Sequence, residues 1–88
     1  MTLAAEFRRG EQARRLLEDP LLREAFATVE AALTDAWRAS AEGAAAERER
    51  LWLMLRLLGR VRGHLSEALE TGRLAQAQLE AAAPPKRN

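Results

Sequence analysis

Apolar side chains recur along this chain at spacings of three and four, the period of one helix face, and Asp19-Pro20 interrupts them sharply. Aspartate is a preferred N-cap and proline is favoured at the first helical position. Proline also disfavours helical geometry in the residue before it. One helix therefore ends near Glu18 and another begins at Pro20. Upstream, Thr2 caps a predicted helix over 3–17 with Leu3, Phe7, Ala13, Leu16 and Leu17 at apolar positions and Gly10 weakening its middle. The next predicted helix covers 20–39. Leu22, Phe26, Val29, Leu33 and Ala36 form its seam, widened by Leu21, Ala25, Ala32 and Trp37.

"SAEG", Ser40 to Gly43, reads as a helix–helix turn, with Gly43 as C-cap or flexible link. A short link returns the flanking helices antiparallel. The third predicted helix covers 44–71 and stops at Gly72. It would run roughly 42 Å, too long for a small single-chain core to hide. "RLAQAQLEAAA" predicts a short last helix over 73–82, and "PPKRN", 84–88, a disordered tail. No internal repeat is evident. The predicted fold is all-α, a single helical domain over 1–83. It is an antiparallel hairpin of the second and third helices, with the first packed on it. Its expected core is Leu22, Phe26, Val29, Leu33, Met54, Leu58, Val61 and Leu65.

The stretch "RLWLMLRLLGRVRGHL", residues 50–65, holds more large apolar side chains than a surface helix needs. Its main stripe runs through Leu51, Met54, Leu55, Leu57, Leu58, Val61, Leu65, Ala68 and Leu69 and is about 160° wide, more than a plain seam. Trp52, Arg56, Gly59 and Gly63 fall together outside that stripe. Glycine costs about 1 kcal/mol relative to alanine inside a helix, so two of them one turn apart need a reason. Close approach of another helix is one. A shallow anion site walled by Trp52, with Arg56 and Arg60 as ligands, is a second. Tolerated glycines on a solvated face are the third. An aromatic residue off the stripe is a common association anchor, so Trp52, Arg56, Gly59 and Gly63 are the interface candidates, and homo-oligomerisation is the expectation.

Composition narrows the chemistry. The 88 residues are 48% apolar and 31% charged, rich in Ala, Leu, Arg and Glu, without isoleucine or cysteine. That mixture is globular and helix-forming. It excludes a disulfide framework and a thiolate metal site. Lys86 is the only lysine. Arginine can be chosen for bidentate contacts, and a GC-rich genome gives the same bias. No apolar stretch reaches signal-peptide or membrane-span length, so a soluble intracellular protein without membrane contact is expected. His64 is the one histidine; Glu67 lies one turn on, a spacing typical of surface pairs. No nucleophile, phosphate-loop or zinc-protease pattern occurs. The expectation is a non-enzyme with no catalytic residue, no metal and no cofactor. Net charge is +1, and glutamates interleave with the arginine clusters at 8–15 and 48–73, so nucleic acid is a less favoured partner.

"DPLLREAF" (Asp19 to Phe26), "RERLWLMLRLL" (Arg48 to Leu58) and "ETGRLAQAQL" (Glu70 to Leu79) resemble small helical proteins of tailed-phage and prophage structural-gene regions. The resemblance covers about three quarters of the chain and carries over no functional residue. It implies a structural or adaptor role in virion assembly or packaging, another phage protein as partner, and a host-cytoplasmic or virion-associated location. The alternatives are a phage nucleic-acid binder and an anti-defence protein that sequesters a signalling nucleotide. In the latter, Trp52 would stack a base and Arg56 and Arg60 would hold a phosphate.

Overall fold

The structure, a computed structural model, describes residues 1–83. The tail expected over 84–88 lies outside them. The described residues form three α-helices and no strand, as the all-α reading expects: α1 (Leu3–Glu18), α2 (Pro20–Ala39) and α3 (Ala45–Ala82). The cap signals act where the sequence puts them. Thr2 Oγ1 accepts from the Ala5 amide at 3.1 Å, and Asp19 Oδ1 accepts from the Leu22 amide at 2.9 Å, with Pro20 opening α2. These bonds satisfy amides that the first turn leaves without intrahelical partners.

Between α2 and α3 the cap is Ser40. Its amide and hydroxyl both donate to the Trp37 carbonyl, at 3.2 and 2.6 Å. Gly43 does not serve as a left-handed cap; no described residue has a positive φ.

The largest departure from expectation is at Gly72. A helix stop there, followed by a short separate helix over 73–82, is corrected: α3 runs unbroken for 38 residues, roughly 57 Å. Glycine marks a stop only when its backbone turns left-handed, and Gly72 stays helical. It is needed for a different reason. It is buried against Gly10 of α1, and a Cβ added to it would sit 2.6 Å from Gly10 Cα.

The chain divides into two compact units, each described in turn. The first joins Met1–Leu17 to the chain from Leu65 onward. Here α1, expected to lie on the α2–α3 hairpin, is grouped with the distal part of α3. Its fully buried residues are Gly10 and Ala13 of α1 and Gly72 and Ala75 of α3. A Cβ on Gly10 would lie 2.7 Å from Gly72 Cα and 3.1 Å from the Ala68 carbonyl; one on Gly72 would lie 3.1 Å from the Glu6 carbonyl. Backbone meets backbone, close enough for Cα–H···O contacts.

The two segments share one spacing. Leu3, Phe7, Gly10, Ala13 and Leu17 on α1 correspond to Leu65, Leu69, Gly72, Ala75 and Leu79 on α3. The Gly10–Ala68 and Gly72–Glu6 approaches mirror each other about the glycine pair. The sequence therefore does contain a short repeated pattern, made visible only by the packing. On the outside of α1, Glu11 accepts a hydrogen bond from Arg14 at 2.9 Å, which holds its carboxyl below the ordinary value.

The second unit, Glu18–His64, joins α2 to the first half of α3. The Arg48 guanidinium lies over the Trp37 ring at 4.3 Å, and that of Arg62 over the Phe26 ring at 5.0 Å. Arg62 also pairs with Glu30 at 3.3 Å. Later residues of α3 thus meet earlier residues of α2.

None of the eight expected core residues is fully buried. Leu22, Phe26, Leu33, Leu58 and Leu65 are half-buried, whereas Val29 (45% exposed), Met54 (45%) and Val61 (56%) stand open. Their assignment to the core of a single chain is corrected. One helix covers only part of a 160° stripe, so its edge stays in water.

Candidate association surface

On α3 within the second unit, Arg48 and Arg62 meet α2, and helical spacing puts Leu51, Leu55 and Leu58, all half-buried, on the same face. Two further faces remain.

The first carries the sequence's interface candidates. The spacing of Trp52, Arg56, Gly59 and Gly63 does bring them to one face. The Arg56 guanidinium lies over the Trp52 ring at 5.0 Å, one helical turn away. Trp52 is 49% exposed, so this is a surface cation–π contact of modest strength. A Cβ built on Gly59 or Gly63 would meet nothing within 4 Å. Nothing inside the chain requires these two glycines. Close helix approach through glycine does occur in this protein, but at Gly10 and Gly72. The signal for it was the shared G-x-x-A pattern, "GEQA" from Gly10 and "GRLA" from Gly72.

The second face includes Met54 and Val61, which the sequence reading places in the core, and Leu57, which it places on the main stripe alone. Met54, Leu57 and Val61 recur at spacings of three and four, and are 45%, 58% and 56% exposed, with Leu53 (46%) beside them. Among the described residues no large side chain is fully buried; the buried apolar side chains are Ala13 and Ala75. Apolar surface of this kind favours a partner, since its removal from water yields about 25 cal/mol per Å².

Among the described residues no three His, Asp or Glu side chains gather as a metal site, and no helix is long and apolar enough to cross a membrane. A shallow open groove of about 280 Å³ in the first unit is lined by Phe7, Gln76, Leu79, Glu80 and Ala83. Its polar groups are engaged with each other, Gln76 Nε2 donating to Glu80 Oε1 at 3.2 Å. No family model, curated protein or solved structure matches this chain.

Proposed function

We propose that this chain is a non-enzymatic structural or adaptor protein that works by associating with copies of itself. One observation carries the reading: α3 presents Leu53, Met54, Leu57 and Val61 to solvent, each 45–58% exposed, while no large side chain is fully buried among the described residues. Monomeric proteins rarely leave a contiguous apolar patch of this kind, and such patches mark interaction sites. In this reading α2 and the first half of α3 form an antiparallel hairpin, supported by the crossed contacts Trp37–Arg48 and Phe26–Arg62. On the resemblance to phage structural-region proteins, virion assembly or packaging is the natural setting, with a second phage protein docked on the assembled form.

Sedimentation equilibrium at tens of micromolar tests the reading. The expected mass is a multiple of the 9.8 kDa chain mass. A single 9.8 kDa species throughout would overturn it.

A further inference from the structure

We infer that a second copy of this chain stacks on one particular face of the α2–α3 pair, so that two hairpins make a four-helix core. The inference rests on the self-association reading above and adds the face, the arrangement and the residues.

The face follows from helix geometry. At about 100° per residue, Met54, Leu57 and Val61 sit roughly 90° round α3 from the residues that meet α2. On α2, Ala25, Val29, Ala32 and Ala36 sit about as far round from Phe26, Leu33 and Trp37. Because the two helices run in opposite directions, these strips emerge on the same side of the two-helix layer. Trp52, Gly59 and Gly63 emerge on the other side. All seven strip residues are exposed, and between Arg50 and His64 no ionisable residue interrupts the strip on α3.

The occupant follows from size and shape. Leu21, Val29, Leu53, Met54, Leu57 and Val61 are 45–73% exposed on or at the margin of this face. Together they present roughly 400 Å² of apolar surface, taking about 120 Å² for full burial of one such side chain. That is about half of the ~800 Å² that each partner gives a standard interface. The neighbouring alanines and arginine stems add to it. The two strips also differ in size. Three large side chains line α3, and three alanines with one valine line α2. A two-fold axis parallel to the helices lays each α3 strip on the partner's α2 strip, large into small, as close packing requires. The contacts Trp37–Arg48, Phe26–Arg62 and Glu30–Arg62 bracket the stretch of α2 level with Leu57, and Ala32 is the strip residue near its middle. In the stacked pair each Leu57 therefore faces the other copy's Ala32. The over-wide stripe of α3 is then explained: α2 covers one edge and the second copy the other.

A charge-swap experiment tests this. Leu57→Glu and Ala32→Arg each place a charge on the stacked face, at positions already exposed in the single chain, so helical circular dichroism should persist. Each variant alone should pair about a hundredfold more weakly, since a buried unpaired charge is costly. Mixed one to one, the two should recover the dimer mass. In the mixed pair the introduced carboxylate faces the introduced guanidinium at one contact, and Leu57 faces Ala32 at the other. Gly63→Leu, on the opposite side, should keep the wild-type mass. Wild-type mass in both charge variants overturns the face, and so does a loss of assembly in Gly63→Leu alone. Monomeric variants that stay monomeric when mixed overturn the stacking of α3 on α2. A monomeric wild type overturns self-association itself.

Discussion

Replacing Gly72 by leucine should cost the fold about 2–3 kcal/mol, measured by chemical denaturation. A first side-chain atom at this position would lie 2.6 Å from Gly10 Cα, and a Cβ on Gly10 would lie 2.7 Å from Gly72 Cα. Both obstacles are main chain, which cannot rotate away, so α1 and the distal part of α3 must separate. Overpacking of this kind costs typically about 1–3 kcal/mol. It also pulls apart Ala13 and Ala75, the buried apolar side chains among the described residues. Overpacking at the upper end of that range, together with the lost burial of Ala13 and Ala75, exceeds the about 1 kcal/mol that leucine recovers through helix propensity, which leaves the stated net loss. Gly72→Ala should lose about 1 kcal/mol, because the clash already begins at Cβ. Unchanged stability in both variants would show that the two glycines do not touch.

Gly59→Ala with Gly63→Ala should do the opposite, raising stability by about 2 kcal/mol as a pair. Each position is helical, and each faces open space for 4 Å around a new methyl carbon. Alanine then brings its helix propensity, about 1 kcal/mol per site, with no steric penalty. The same double variant should keep the wild-type assembled mass, because these glycines lie away from the face assigned to the second copy. A loss of stability or of mass would mean that something packs closely against them.

The contrast between the two glycine pairs shows where local sequence rules stop. Thr2, Asp19 and Pro20 were legible because capping depends on neighbours three residues away, and the structure makes those bonds. Gly72 was misread because a stop and a close crossing use the same residue type; only the identity of the facing helix decides between them. The G-x-x-A pattern is present at both Gly10 and Gly72, yet nothing in either segment alone says that they meet. Gly59 and Gly63 fitted the close-approach pattern equally well and face open space.

The apolar stripe of α3 was legible as a stripe. Its division was not, because periodicity gives the width of an apolar face without saying how many helices cover it. Val29, Met54 and Val61 carry the core periodicity and are nonetheless exposed in the single chain. In the proposed stacking on a second copy, they would be covered. Trp52 was singled out because a large aromatic off the stripe looks like an anchor. The structure gives it Arg56 as a neighbour on its own helix and leaves it half-exposed.

The central claim is that a second copy completes this fold, and the concentration dependence of thermal unfolding tests it most directly. Anything that binds only the folded chain stabilises it in proportion to the logarithm of its concentration, and here the ligand is the chain itself. The melting temperature should climb steadily across a hundredfold range of protein concentration, and the climb should vanish in Leu57→Glu. A wild-type melting temperature that stays fixed across that range would contradict the claim.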